Sequence, residues 1–468
     1  MAYEEMMTTG SGRPAGSKTQ RRVLLAVSLG VFSILFEGFA LNLALPHVGS
    51  ELGADGRSLQ WIVSAYLLAA GPLMLGAGRL GDQLGRRRMW VLGMLIFGAA
   101  SMVCALAPSL PVLVAARVVQ GAGGALVIPT GLALLTNAYP VESRGRATGW
   151  ALGAGGVAMA ISPLVGGVLT TTTSWRAVFW INVPCAVLGA VMGTRAEESR
   201  GPSTRTRIDW LGLFAGTASL LVITALVDRA GEWGWVSVRS AVAIALSVLL
   251  LVAFLYIEKS VEVPLVRPQL LRNIHFVALT VSGAAVNTAT VILLLVIPLS
   301  LQAQWGLSAS GAGLGFVGPA LALAVTGPLA GRVSTRKALP LMASCLGTGA
   351  ALLVALVAAP NLVAYLVISI FCVGIFGAAN ATTLIATQAV VTPQQAGEAS
   401  GVTKTIVTVA AGLGVALASS GTSSSEITIL PARTILLVTA LCCMCACLAL
   451  FAWVGLSPHC GGGHDRRV

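Results

Sequence analysis

Charge is scarce in this chain. Only 10% of its 468 residues are Asp, Glu, Lys or Arg, while 56% are hydrophobic and the mean hydropathy is +0.87. A soluble domain of this size needs far more polar surface, so that class is excluded. A disulfide scaffold is excluded too, because the nine cysteines fall mostly inside apolar runs, Cys442, Cys443, Cys445 and Cys447 among them, where they act as small apolar residues. No Gly-x4-Gly-Lys-Ser/Thr loop offers a nucleotide cradle, which argues against ATP as a driving force. Neither a metal-ligand cluster nor a nucleophile triad is present, so the chain reads as no enzyme and as needing no cofactor or metal. The run His459-Cys460 to His464 reads as part of a polar tail. The first twenty residues lack the apolar core and cleavage site of a secretory signal, and the first apolar run is expected to stay as an anchor.

What is there is a succession of apolar runs, each about 20 residues and so able to cross a bilayer core of about 30 Å as a helix. Fourteen are expected, at 23–45, 58–77, 89–107, 110–136, 147–170, 177–194, 209–228, 239–257, 275–299, 310–331, 339–358, 362–387, 398–420 and 434–456. Solid runs, rather than alternating ten-residue segments, exclude a barrel. The expected fold class is an all-α polytopic membrane protein. The net charge of +12 would suit a nucleic-acid partner, but most of the 29 Lys and Arg residues sort onto alternate loops instead. That bias predicts an even number of spans with both termini cytoplasmic.

The punctuation divides the chain into a tail (1–22), a first six-helix bundle (23–194), a linker with two extra spans (195–274), a second six-helix bundle (275–456) and a second tail (457–468). Between the halves, 195–208 is basic and rich in Ser, Thr, Gly and Pro.

Several constellations carry chemistry. Gly78-Arg79-Leu80-Gly81-Asp82-Gln83-Leu84-Gly85-Arg86-Arg87-Arg88 reads as a tight turn between two apolar runs, in which small residues let helix ends approach and Asp82 pairs with an arginine or caps a helix. A weaker echo, Gly327 to Lys337, keeps the basic end and loses the Asp. Glu37 is the acidic residue well inside an apolar run. A carboxylate there needs a cavity, a partner or a proton, which leaves two readings open: a proton or cation site, and a structural buried pair. Arg117, also within a run, stays charged and needs a partner, a wet cavity or backbone carbonyls. The fifth run holds Gly149, Gly153, Gly155, Gly156, Ala158, Ser162, Pro163, Gly166 and Gly167, a face that allows contact packing and, at Pro163, a bend. Asn42, Tyr66, Asn287 and Asn380 are cavity candidates, with Gln302, Thr382, Thr383 and Gln388 scattered beside them. Trp61, Trp175 and Trp180 read as membrane-interface anchors more readily than as ligands.

The turn at Gly78–Arg88 resembles the loop between the second and third helices of the major facilitator superfamily, with Gly81 in place of that pattern's Ala. Glu37 to Pro46 is similar to the first-helix motif of its fourteen-helix drug:proton antiporter branch, in which an Asp stands at position 37 and a Thr at 39. Arg117 to Gly124 resembles the fourth-helix motif, and Gly149, Pro163, Gly166 and Gly167 match the antiporter motif of the fifth. Gly397 to Val402 starts like the thirteenth helix, but Lys404, Val407 and Thr408 replace the polar residues that usually follow.

The resemblance implies two six-helix bundles plus two additional helices. It implies export of a lipophilic, often cationic, drug or antibiotic against protons, by alternating access in a bacterial plasma membrane. Glu37 and Arg117 would couple to the proton. Gly78, Asp82, Gly85, Arg86 and Arg87 would gate the cytoplasmic side. The implied partners are the lipid bilayer, a small lipophilic substrate and protons, with no nucleic acid, and the chain would be a monomer. An importer or uniporter of a small metabolite, and a non-transporting membrane sensor or scaffold, remain as alternatives.

Overall fold

The computed structural model describes residues 17–54, 56–200, 209–234, 236–261, 268–307, 309–334, 337–392, 395–419 and 429–456. Both expected tails beyond those limits, and most of the expected 195–208 linker, lie outside the described residues, as do the side chains of Asn42, Pro46 and Pro163.

The described chain is helical: α1 (Ser17–Leu52), α2 (Gly56–Leu84), α3 (Arg86–Leu106), α4 (Leu110–Ala138), α5 (Val141–Thr172), α6 (Arg176–Gly193), α7 (Trp210–Trp233), α8 (Val238–Ser260), a five-residue α9 (Pro268–Arg272), α10 (Ile274–Ala303), α11 (Ala309–Ala330), α12 (Ala338–Val357), α13 (Leu362–Ala389), α14 (Ala396–Ser419) and α15 (Ile429–Leu456). Several run past the apolar stretch that announces them. Helix α1 begins among Lys18, Arg21 and Arg22, which stay wet while the helix continues into the apolar layer.

Eleven of these helices are long and apolar enough to cross a membrane, against the fourteen expected. The other three long ones are α5, α7 and α14. In α5 the side chains of 163–164, and in α14 those of 415–419, lie outside the described residues, so the described apolar stretch of each is cut short. The described apolar stretch of α7 is the short Leu211–Leu226.

The two halves repeat one packing scheme. In the first, α1 packs on α5 and α6, α2 on α4, and α3 on α4 and α6; in the second, α10 packs on α14 and α15, α11 on α13, and α12 on α13 and α15. Core packing is tight enough for glycine to matter: the fully buried Trp90 of α3 fills the spaces left by Gly30 of α1, Gly131 of α4 and Gly193 of α6. The pair α7–α8 is held by reciprocal bonds, Ser219 Oγ to the Ser247 carbonyl (3.0 Å) and Ser247 Oγ to the Ser219 carbonyl (3.2 Å). It leans on α2 and α14, with Leu213 of α7 against Gly76 of α2.

The halves meet along two crossings, α5 on α11 and α2 on α14, with α4–α14 and α5–α13 between them. Small residues make both. Gly145 and Gly149 of α5 abut the carbonyls of Gly331 and Gly327, and Gly78 of α2 abuts the carbonyl of Gly397; a Cβ at any of these glycines would overlap the facing backbone. The repeated Gly-x3-Gly spacing, 145/149 and 397/401, is what lets backbones touch. Both crossings lie toward the end of the molecule that carries the arginine-rich α2–α3 turn, and in α5 they reach about the middle of the helix, where Gly156 meets Ala324.

Candidate functional site

Glu37 lies within the first half, toward the end opposite the arginine-rich turn, and is 2% exposed. Arg117 Nη1 of α4 donates to its Oε1. Gln120 Nε2, one turn along α4, donates to Oε2 (2.6 Å), and so does Asn182 Nδ2 of α6 (2.6 Å). Arg117 also donates through Nη1 to Gln120 Oε1 (2.6 Å) and through Nε to the Ile62 carbonyl of α2 (2.8 Å). Gln120 gives its second N–H to Ser101 Oγ of α3 (2.8 Å). The guanidinium lies 4.5 Å from the Tyr66 ring centre, and Gly124 leaves room for the Tyr66 hydroxyl, where a Cβ would come within 2.5 Å. One carboxylate thus ties α1 to α4 and α6, and through Arg117 and Gln120 to α2 and α3.

This arrangement satisfies both carboxylate oxygens and most guanidinium donors, the condition under which a buried ion pair is tolerated. It leaves no oxygen of Glu37 turned to the space between the halves. The expected attraction of a cationic cargo to Glu37 is therefore not what this geometry provides.

Asp82 sits at the α2–α14 crossing, and Arg86 Nε (2.8 Å) and Nη2 (2.7 Å) both donate to its Oδ1. Its Oδ2 accepts the backbone N–H of Glu398 (2.9 Å), in the first turn of α14, so a side chain of the first half caps a helix of the second. Glu398 in turn faces Arg79 Nη1 at 3.5 Å. Arg87 goes elsewhere: its backbone N–H donates to Glu198 Oε1 (3.0 Å) and its Nη1 to the Ala196 carbonyl (3.3 Å). Gly85 has φ +114°, and a Cβ there would fall 2.7 Å from the Glu198 carboxylate carbon. Between the crossings, Thr136 Oγ1 of α4 donates to Gln388 Oε1 of α13 (2.5 Å), and Gln388 Nε2 donates to Ser400 Oγ of α14 (2.9 Å).

The other expected residues are dispersed. Gly149 faces α11, whereas Gly166 faces Ala40 of α1, so the glycines of α5 serve two interfaces. Gly167 is half-buried, and the Pro163 side chain, like that of Asn42, lies outside the description. Asn380 Nδ2 donates to Asn287 Oδ1 (2.8 Å), and Asn287 Nδ2 to the Val407 carbonyl (3.2 Å), which links α13, α10 and α14 in the second half. Trp61 and Trp180 are each 42% exposed, as anchors would be. Trp175 is not: it is 2% exposed, and its Nε1 donates to Glu51 Oε2 (2.6 Å).

Sequence reasoning passed over Gln120, Asn182, Glu198, Glu398 and Glu51. Gln120 lies within the quoted fourth-helix motif, three residues from Arg117, and Asn182 two residues after Trp180, but their partners are on other helices. Glu198 is indistinguishable in sequence from any acid of a solvated linker.

A family model described as Major Facilitator Superfamily matches residues 27–256 and 275–465. The chain is 35% identical over 323 residues to the cephamycin export protein CmcT of Amycolatopsis lactamdurans, covering 68% of this chain and 66% of that one. It is 31% identical over 326 residues to the methylenomycin A resistance protein of Bacillus subtilis, covering 69% of each. The matched stretch is thus a little under two thirds of the first relative's length. Among solved structures, the human organic anion transporter MFSD10 (TETRAN) superposes with a TM-score of 0.65 at 15% identity, over 92% of this chain and 99% of that one, a likeness of fold.

Proposed function

Because this chain belongs to the Major Facilitator Superfamily, a family of membrane transporters and not of enzymes, we propose that it exports a lipophilic drug or antibiotic in exchange for protons. Relatives named for antibiotic export and resistance support the export direction. In this reading α5, α7 and α14 cross the bilayer with the eleven apolar helices, making fourteen spans, and the protein works as a monomer in a bacterial plasma membrane. The arginine-rich end and both termini face the cytoplasm.

The observation that carries the proposal is the Glu37 cluster. Seven residues into α4, Arg117 lies about 10 Å from that helix's start, which is the outer end in this orientation. A proton arriving from outside at Glu37 removes the charge that holds Arg117. Arg117 then keeps the Ile62 carbonyl, Gln120 and the Tyr66 ring, and the tie from α1 to α4 weakens. With the halves joined at the arginine-rich end, the space between them opens outward and cargo leaves there. Breaking the seams at Asp82–Glu398 and Thr136–Gln388 opens the cytoplasmic side, where Glu37 loses its proton and cargo binds.

The test is efflux of the uncharged dye Nile red from cells expressing the chain. Efflux is expected to stop with a protonophore and to be lost in Glu37→Gln. Efflux that persists at full rate without a proton gradient sinks the proton-driven reading.

A further inference from the structure

Of the charges buried within the described helices, Arg229 of α7 lies over the Trp61 ring, and the rest pair off: Glu37 with Arg117, Asp82 with Arg86, Arg79 with Glu398. Lys404 does not. Among the described residues no ion-pair or hydrogen-bond partner meets it. It is half-buried two turns into α14.

Its neighbours on the helix fix its direction. Gly401 and Thr408 face α2, where a Cβ at Gly401 would fall 2.8 Å from the Met74 carbonyl oxygen. Thr403 faces α10, its hydroxyl 3.3 Å from that of Thr280. Lys404 falls between these two faces, one turn beyond Ser400, which is itself part of the closure with Gln388 and Thr136. Thr403, Thr405 and Val407 around it are all buried, and the lipid-facing residue of this turn is Ile406, on the opposite side of the helix and 39% exposed. What exposure Lys404 has is therefore to the space between the halves, just above its closed floor.

The internal repeat shows that the fold does not require a charge there. Aligning Gly145-x3-Gly149 with Gly397-x3-Gly401 sets Lys404 against Leu152 of α5, also half-buried and at the equivalent place in the other half. A lone ammonium at membrane depth is costly, and such a residue marks a functional site unless it is paired. Three residues on, about 4.5 Å along the axis, the Val407 carbonyl holds Asn287, which holds Asn380. These amides thus share a stretch of α14 with Lys404. Glu37 offers this space no compensating negative charge, since both its oxygens are taken within the first half.

We propose that Lys404 selects the cargo, and that the cargo is a lipophilic molecule carrying an anionic group, a carboxylate in the simplest case. This rests on the export reading and names its substrate class. The carboxylate pairs with the Lys404 ammonium, the Asn287–Asn380 amides lie beside it, and the apolar body of the molecule fills the space between the halves.

The test compares three probes of one shape on the full-length protein in lipid nanodiscs: 1-pyrenebutyrate, its uncharged amide, and 1-pyrenebutylamine, each titrated by fluorescence anisotropy. Wild type is expected to bind the carboxylate about tenfold more tightly than the amide, a difference of about 1.4 kcal/mol. That preference disappears in Lys404→Gln and in Lys404→Leu, which borrows the residue of the other half and so guards against misfolding. It survives in Lys404→Arg and passes to the amine in Lys404→Glu. Equal binding of acid and amide by wild type, or a preference unchanged in Lys404→Gln and Lys404→Leu, overturns the proposal. Nile red efflux separates the two readings. A carboxylate preference that follows residue 404, without proton-driven efflux, leaves the site standing and removes the exporter. Proton-driven efflux without the preference does the reverse.

Discussion

Arg117 makes contacts that no lysine can make together: it donates to Glu37, to Gln120 and to the Ile62 carbonyl while lying against the Tyr66 ring. A lysine is a point charge that reaches part of that set. Arg117→Lys is therefore expected to abolish Nile red export and to lower stability by about 3 kcal/mol, the scale for a broken buried pair, measured by thermal unfolding in detergent. Glu37→Leu combined with Arg117→Leu should recover much of that stability and none of the export; recovery of both would make the pair purely structural. At the opposite end from the arginine-rich turn, the hydrogen bond from Arg176 holds the Glu51 carboxyl below its usual range, with further help from Trp175. A lowered carboxyl stabilises the fold above its unfolded pKa of about 4.3, and that contribution is lost as pH falls through the lower folded value. The melting advantage of wild type over Glu51→Gln should thus be present at pH 6 and vanish under stronger acid; an advantage that grows with acid contradicts the assignment.

At the scale of the element, contact packing sets what the helices tolerate. Gly149 of α5 lies against the Gly327 carbonyl of α11, so Gly149→Val forces two backbones apart at the seam between the halves. The variant is expected to fold, because the α1–α5 contacts of the first half are untouched, but to lose export, read as Nile red retention alongside normal membrane levels. Gly85→Ala acts differently. Its left-handed φ of +114° and the Glu198 carboxylate beside it make the cost one of folding, about 1–3 kcal/mol in thermal unfolding. The existence of most elements was legible from apolar runs alone. Helices α5 and α14 show what that reading leaves out: which face of a small-residue helix meets which neighbour is set only when the helices cross.

At the scale of the whole molecule, two halves with one packing scheme touch at one end. If those contacts are a closed door rather than a permanent weld, a cysteine pair placed at Thr136 and Gln388, whose side chains meet across the seam, should halt Nile red export when oxidised and restore it on reduction. Export that continues through a completed cross-link would rule out opening at this end. The same scale explains Lys404. In sequence it is a departure from a motif, and its meaning depends on which way one turn of α14 faces.

Composition by itself determined the class, since a chain this apolar with so few charges can only be stable with lipid around it. The arginine-rich turn determined the family, because a charged, glycine-dense loop between two spans is chemically specific enough to stand out. The Glu37 and Arg117 side chains were legible as costly charges that needed an account. Their pairing was not, nor were Gln120 and Asn182, because hydrogen-bond partners up to 145 residues apart in sequence are brought together only when helices cross. Which charge is sealed and which is left facing the space between the halves was decided by tertiary structure alone. Charge shows in a residue's identity, while compensation depends on what stands within hydrogen-bonding distance of it.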